Sequence, residues 1–173
     1  ITIGSEINLS TFVKNAIDSG YRRVGNVMDI GEIAVRGGIV DIYSPSYNNP
    51  IRIDFFGDEV EDLKFFDPLT QLTNDLVKEI TILPISEVLL NDINISNFKN
   101  NYRKNFGSIS TKDELFQSIS EGTRYPGLEH WLSLFYPKLE TIFDILENHY
   151  FYVLDSAFDD FCNMRFDDIN DYF

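Results

Sequence analysis

Five carboxylates in one short central stretch are residues whose type could support acid–base chemistry. They are Asp54, Asp58, Glu59, Glu61 and Asp62. A pair of carboxyl groups acts as acid and base only when burial or a close like charge shifts the pKa of one member. Here the residues surround a Gly-Asp pair between alternating strands, which indicates solvated hairpin positions. We therefore predict no catalytic residues in this stretch.

The rest of the sequence contains few residues that could form a nucleophilic, metal-binding or nucleotide-binding site. Cys162 is the single cysteine, and the two histidines lack partners at metal-ligand spacing. We interpret His130 and His149 as structural or surface residues. Neither a Gly-rich phosphate loop nor a nucleophile motif occurs. The sequence predicts no metal, no cofactor and no enzyme activity for this chain.

An arginine and a phenylalanine offer the chemistry of a protein-binding surface instead. Strand alternation places Arg52 and Phe56 on one face, away from Ile53 and Phe55. Exposed Arg and aromatic side chains dominate the energetics of protein interfaces. Two plainer interpretations stay open. Phe56 packs under a loop, or Arg52 pairs with Asp54 or a neighbouring carboxylate.

These side chains need a β-ribbon to position them. Residues 31–66 alternate between apolar and polar positions, so each strand is expected to have one buried and one solvated face. Ile33 and Val35 mark the buried side of the first strand. Gly37 and Gly38 separate it from the next strand.

The hairpin of this ribbon requires a correction to simple pairing. Gly57 and Asp58 have the composition of a tight turn. Two-residue pairing around them would place Asp54 opposite Glu61, two like charges. We therefore predict a β-bulge near Glu61 or Asp62. The expected pairs are Ile53 with Leu63 and Ile51 with Phe65.

A helix and further short strands are predicted around the ribbon. Asn8 or Ser10 caps an amphipathic helix that ends near Ser19. The other predicted elements are a strand at residues 21–27, a loop at 67–74 and a strand at 77–83. The Arg22-Arg23 pair is interpreted as a solvated strand edge rather than a phosphate site.

The second half of the chain is predicted to be mainly helical. The Asn-rich residues 86–107 predict a connector with short helical pieces, and Ser110 or Thr111 begins the next helix. Residues 127–136 are dense in large apolar groups that need a surface to cover. Residues 149–154 predict a buried strand.

A last helix is predicted after Ser156, with one apolar and one acidic side. The side chains expected to face inward are Phe158, Phe161, Cys162 and Ile169. The aspartate pairs at 159/160 and 167/168 lack the spacing of a calcium loop. We interpret them as the solvated side of the helix.

The formal net charge of −14 limits the partners of this chain. Strong nucleic-acid binding depends on basic groups that neutralise phosphates, so a folded protein partner fits better than DNA. No segment approaches the roughly 20 apolar residues that span a bilayer, and no signal peptide is visible. We expect a soluble, cytoplasmic protein without a membrane partner.

Four motifs together resemble the module shared by UvrB and the bacterial transcription-repair coupling factors (Mfd). They are Tyr21-Arg22-Arg23-Val24, Gly31-Glu32-Ile33-Ala34-Val35-Arg36-Gly37-Gly38-Ile39-Val40-Asp41-Ile42, Arg52-Ile53-Asp54-Phe55-Phe56-Gly57-Asp58-Glu59-Val60 and Phe66-Asp67-Pro68-Leu69-Thr70-Gln71. Two later segments, Ile82-Leu83-Pro84 and residues 127–136, are more similar to the coupling factors than to UvrB.

The pattern of the first 85 or so residues predicts a compact, mainly antiparallel sheet with a packed helix, an α+β fold. The resemblance implies in addition that the chain is a fragment of a longer protein. Residues 1–88 would form a mainly antiparallel sheet module with a packed helix, which docks UvrA. Residues 89–126 would form a helical connector. Residues 127–173 would be the returning part of a split, helicase-like α/β layer.

The resemblance also implies a function in nucleotide excision repair. The module would dock UvrA and so recruit repair to a stalled RNA polymerase, and its contact residues map by motif to Arg36, Arg52 and Phe56. Its other partners would be further domains of the same polypeptide. RNA polymerase and DNA would be reached only through the full-length protein, an ATP-dependent translocase. The alternative is the equivalent region of UvrB, which contacts UvrA and damaged DNA.

Overall fold

The computed structural model describes residues 1–108, 110, 112–146 and 155–172, in two compact units, Ile1–Lys138 and Leu139–Phe173. The strands are β1 (Arg22–Arg23), β2 (Glu32–Arg36), β3 (Ile39–Ile42), β4 (Ile51–Phe56), β5 (Glu59–Phe66) and β6 (Thr73–Leu76). The helices are α1 (Leu9–Asp18), α2 (Asp92–Phe106), α3 (Glu114–Ser120), α4 (Leu132–Phe135), α5 (Ile142–Ile145) and α6 (Phe158–Tyr172), with a 3-10 turn at Leu128–Trp131.

The six strands form one mixed sheet in the order β1-β2-β3-β4-β5-β6. Strands β1 and β2 are parallel, and all other neighbours are antiparallel. Sheet and helices together make an α+β fold, as predicted. The helicase-like character of the C-terminal part stays a prediction. Among the described residues, none of the helices has the length and apolar character needed to cross a bilayer.

Helix α1 covers the inner face of the sheet. The Asn8 side chain caps it by accepting a hydrogen bond from the Thr11 N–H at 3.0 Å, which confirms one of the two predicted caps. Val13 and Ala16 lie on its buried side. They belong to a core cluster with the inward side chains of the strands, Ile33, Val40, Ile42, Ile51, Ile53, Phe55, Val60 and Leu63.

The predicted β-bulge is confirmed in the β4–β5 hairpin. Ile51 pairs with Phe65 and Ile53 with Leu63, and the register shifts between Asp54 and Phe55. Glu61 is the extra residue of the bulge. The bulge was predicted because it separates Asp54 from Glu61, but it places Asp54 opposite another carboxylate, Asp62. Lys64 relieves this repulsion by pairing with both carboxylates, at 3.3 and 2.5 Å.

Three predictions about the strands are wrong. The strand at 21–27 is only the two residues of β1, and the strand predicted at 77–83 is not formed. Instead, β6 occupies part of the stretch predicted as a loop. The physical reason is that the Asp67 carboxylate accepts the N–H groups of Leu69 and Thr70 at 3.0 and 2.7 Å. This closes a tight turn that sends the chain back along β5 at once.

A second core cluster holds the helices of the first unit together. Phe98 of α2 lies at its centre and stacks on Phe135 of α4, with ring centroids 4.9 Å apart. Asn97 and Asn101 donate their amide hydrogens to the carbonyl groups of Phe135 and Leu134, at 3.1 and 2.9 Å. The predicted connector thus contains one 15-residue helix. Its asparagine side chains bind backbone carbonyl groups at the C-terminal end of α4 that lack partners within that helix. The predicted boundaries at residues 88 and 126 stay predictions.

Helix α6 lies in the second unit and differs from its prediction. The expected inward side chains Phe158, Phe161 and Ile169 are exposed, Phe161 to 67%. The periodicity correctly indicates an apolar side, but only a packed neighbour buries such a side. The strand predicted at 149–154 lies outside the described residues.

Candidate protein-docking face

The face of the sheet opposite α1, here called the outer face, carries the three predicted contact residues. Strand alternation turns their side chains away from the core cluster. The register places Asp41 of β3 beside Arg52 of β4, and Arg52 beside Lys64 of β5. The charged and aromatic residues of this face are Arg36, Asp41, Arg52, Asp54, Phe56, Asp62 and Lys64.

Asp41 is the centre of the outer face. Its side chain is fully buried, yet it lies between two arginines. Arg52 donates to it from Nε at 2.7 Å and from Nη2 at 2.9 Å. Arg36 also donates from Nη2 to the same carboxylate. Charge-assisted bonds of this two-point kind are strong and geometrically specific.

The cluster of Arg36, Asp41 and Arg52 carries a net positive charge in a chain whose formal charge is −14. The hydrogen bonds from Arg52 to Asp41 raise the pKa of the Arg52 guanidinium despite its partial burial. The Arg52 guanidinium therefore remains cationic. The single negative charge of Asp41 balances only one of the two arginine charges. The remaining positive charge can attract a carboxylate on a partner surface.

Arg52 is held more tightly than the sequence predicts. Its side chain is 17% exposed, and its guanidinium carbon lies 4.7 Å from the centroid of the Phe66 ring. Its Nη1 group donates to the backbone carbonyl of Gln71 at 3.4 Å. The expectation of an arginine freely offered to solvent is therefore wrong. The plainer interpretation, a neighbouring carboxylate, holds with Asp41 as the partner rather than Asp54.

Arg36 is the more accessible cation of the pair. Its side chain is 46% exposed, and its Nη1 group donates to the Asn26 side-chain oxygen at 3.3 Å. An arginine of this exposure can still rearrange to meet a partner. Arg36 and Arg52 thus share Asp41 but differ in how much of each remains available for binding.

Phe56 projects from the end of β4 and is 76% exposed, whereas its neighbour Phe55 is buried in the core. The hairpin beneath it is braced by the N-terminal segment. The Ile7 N–H donates to the Asp58 carbonyl at 2.6 Å, and the Asn8 amide contacts the Asp58 carboxylate. The predicted orientation of Phe56 is confirmed, and its role in binding stays a prediction. Single exposed apolar side chains are common on protein surfaces, so the exposure of Phe56 leaves its ring available for contact without assigning one.

The carboxylates at the hairpin do not form an acid–base pair. Lys64 lies between Asp54 and Asp62, and its hydrogen bond lowers the pKa of Asp62. A lowered pKa keeps a carboxylate ionised at neutral pH, which is the opposite of what a general acid requires. Asp58, Glu59 and Glu61 are exposed, as the sequence predicts.

Asp41 is the residue of the outer face that sequence reasoning missed. The signal was present, because Asp41 lies between the apolar Val40 and Ile42 in a strand. Alternation places it on the face that also holds Arg36 and Arg52. Because β3 lies between β2 and β4, the Asp41 carboxylate could have been recognised as the shared partner of the two arginines.

The comparisons with known proteins match both the sheet and the helices. The model of the UvrB interaction domain family matches residues 1–87. The transcription-repair-coupling factor of Haemophilus influenzae is 38% identical over 136 residues, which are 78% of this chain and 12% of that protein. The Escherichia coli factor is 35% identical over 127 residues, covering 73% of this chain and 11% of its own length. The Staphylococcus epidermidis factor is 30% identical over 168 residues, or 90% of this chain and 14% of the relative. The chain spans about 12% of the length of the curated relatives it matches.

Proposed function

Because this chain belongs to the UvrB interaction domain family and is homologous to transcription-repair-coupling factors, we propose that it is a non-catalytic docking module for UvrA. In this proposal it recruits nucleotide excision repair to a stalled RNA polymerase. Arg36, Arg52 and Phe56 are its contact residues. The setting is the cytoplasm, where bacterial transcription and repair take place.

The observation that carries this proposal is the position of Phe56. Its ring is 76% exposed on a braced hairpin, on the same face as the Arg36–Asp41–Arg52 cluster. Aromatic and arginine side chains are the residue types that most often dominate binding energy. Preorganised side chains also lose little conformational entropy on binding. The outer face therefore has the chemistry of a protein-docking site.

The charge of the face favours a protein partner over DNA. Three cations, Arg36, Arg52 and Lys64, alternate with three carboxylates, Asp41, Asp54 and Asp62. A phosphate backbone requires an excess of basic groups. A folded partner with its own mixed charges can match such a pattern instead. The alternative of a UvrB region that contacts damaged DNA is not favoured, because the named relatives are coupling factors.

The chain would belong to a longer protein whose remaining regions carry the catalytic and DNA-related activities. ATP-dependent translocation, contact with RNA polymerase and contact with DNA would belong to regions outside this chain. Domains of the same polypeptide would be its further partners. Residues 127–173 would return into a helicase-like layer in that longer protein.

Isothermal titration of the 173-residue chain with UvrA from the same organism tests the proposal. We expect a saturable complex that the Phe56→Ala variant weakens. Incubation with ATP serves as the control for catalysis, and no hydrolysis above buffer is expected. The absence of any binding, or appreciable ATP hydrolysis by this chain, would contradict the proposal.

A further inference from the structure

Gln71 has the most unusual backbone of the loop between β5 and β6. Its φ is +62°, and among the described residues it is the one residue other than glycine with a positive φ. Side chains strain this conformation, and glycine or asparagine is the usual occupant. In addition, its side-chain oxygen Oε1 is buried without a hydrogen-bond partner among the described residues. Both features lower stability, so their presence requires a compensating role.

The side chain of Gln71 ties two loops together. Its Nε2 group donates to the carbonyl oxygens of Pro68 at 2.6 Å and Val27 at 3.1 Å. Its backbone N–H donates to the Asp67 carbonyl at 2.8 Å. These bonds join the turn that follows β5 to the segment that precedes β2. The strained backbone is thus fixed from both sides.

These bonds set the direction of the Gln71 backbone carbonyl group. The Gln71 backbone oxygen faces the Nη1 group of Arg52 at 3.4 Å. Asp41 accepts hydrogen bonds from the Nε and Nη2 groups of the same guanidinium, whose central carbon lies over the Phe66 ring, 4.7 Å from its centroid. Arg52 is therefore held by a carboxylate, an aromatic ring and a carbonyl. Arg36 shares Asp41 but lies 46% exposed.

We propose that Gln71 is a positioning residue of the docking face, which directs the Arg52 guanidinium towards a bound protein. This inference rests on the proposed function. A guanidinium has five N–H donors, and the described contacts of Arg52 use one on each nitrogen. One donor on Nη1 and one on Nη2 remain outside these three bonds. An Arg52 guanidinium held in one orientation presents these two N–H groups to a carboxylate of UvrA in one direction.

The chemistry explains why glutamine is needed at this position. Glutamate has no amide hydrogens for the carbonyls of Val27 and Pro68, and its charge would repel both oxygens. Glycine relieves the strained φ but removes both bonds. Gln71→Glu and Gln71→Gly therefore separate the amide bonds from the backbone strain. Leu69→Gly is the matched control, because it removes an exposed side chain from the same loop.

The first test uses the free chain. NMR spectra of the arginine Nε–H groups should show a slowly exchanging Arg52 signal in the wild type, because this hydrogen is bonded to buried Asp41. We expect at least tenfold faster exchange in Gln71→Gly and Gln71→Glu, and wild-type exchange in Leu69→Gly. Unchanged exchange in both Gln71 variants would overturn the inference, whether or not UvrA binds.

The second test measures UvrA affinity in double-mutant cycles. Gln71→Gly should weaken binding about tenfold in the wild type and in Phe56→Ala, but less than about twofold in Arg52→Ala. An equal loss in all three backgrounds would indicate a general loop effect and would overturn the inference. If Phe56→Ala weakens binding and Gln71→Gly does not, the inference fails and the proposed function stands. If the wild type does not bind UvrA, both fail.

Discussion

Arg52 and Asp41 form a two-point ion pair in which the aspartate side chain is fully buried and the arginine side chain is 17% exposed. The two donor–acceptor distances are 2.7 and 2.9 Å. A pair of this kind adds little net stability, because both charges lose their hydration. Breaking it is costly, because the remaining buried charge has lost its main partner. Arg52, a proposed contact residue of the outer face, therefore also supports the sheet.

Arg52→Ala should lower the free energy of unfolding by about 3 kcal/mol, because Asp41 would stay buried with Arg36 alone. Arg36→Ala should cost no more than about 1 kcal/mol, because that side chain is half exposed. Urea unfolding followed by circular dichroism measures both values. Equal stability of Arg52→Ala and the wild type would show that the ion pair does not support the sheet.

Gly38 allows the chain at the start of β3 to lie close to β4. A Cβ atom at this position would lie 2.7 Å from the Phe55 carbonyl oxygen, whereas at Gly25 it would meet no atom within 4 Å. Gly38→Ala should therefore lower the free energy of unfolding by about 2 kcal/mol through overpacking, and Gly25→Ala should have little effect. Thermal unfolding compares the two variants. Similar melting temperatures would mean that the strands shift without cost.

Acid should destabilise the sheet through Glu32. Burial raises the pKa of this carboxyl, but hydrogen bonds from the Met28 and Asp29 N–H groups and from Arg22 outweigh burial, so the pKa is lowered. The unfolded chain protonates Glu32 near pH 4.3, above the pKa of the folded state. The stabilisation is thus present above about pH 4.3 and is lost as the pH falls through the folded pKa.

The Glu32→Gln variant isolates this contribution from Asp62 and Asp67, whose pKa values are also lowered. Between pH 7 and pH 3, the free energy of unfolding should fall further in the wild type than in Glu32→Gln. Urea titrations at several pH values measure the difference between the two curves. Parallel curves would show that the charge of Glu32 does not contribute to folding.

Local patterns predicted the parts of the sheet that depend on neighbouring strands. Alternation and the Gly57-Asp58 turn fixed the β4–β5 pairing, including the bulge. Burial of the outer face was harder to predict. Glu32 and Ala34 alternate with Ile33 and Val35, so they belong to the face expected to be solvated, but both are buried. Ala34 packs with Val27 and Phe66, and Glu32 accepts hydrogen bonds from the loop that precedes β2. Which loop covers a strand depends on contacts distant in sequence.

The proposed contact residues of the outer face were predicted one by one, but the network that joins them was not. Arg52 and Phe56 were placed on one face by alternation, and Arg36 by resemblance to the family. The shared carboxylate of Asp41 and the carbonyl of Gln71 were not predicted. Strand alternation could have indicated Asp41, whereas the contact of Gln71 with Arg52 depends on tertiary geometry. In the same way, the length of α2 depends on its packing against α4. Its Asn-rich sequence alone favours shorter pieces.

The affinity of Phe56→Ala for UvrA tests the central claim most directly. Calorimetry should give a dissociation constant about thirtyfold higher than that of the wild type, a loss of about 2 kcal/mol. The melting temperature should not change, since the ring is 76% exposed. Ile93→Ala on α2 is the matched control, because Ile93 is 72% exposed and lies outside the sheet. It should bind as the wild type does. Wild-type affinity of Phe56→Ala, together with a fall in melting temperature as large as that of Phe55→Ala, would contradict the docking face.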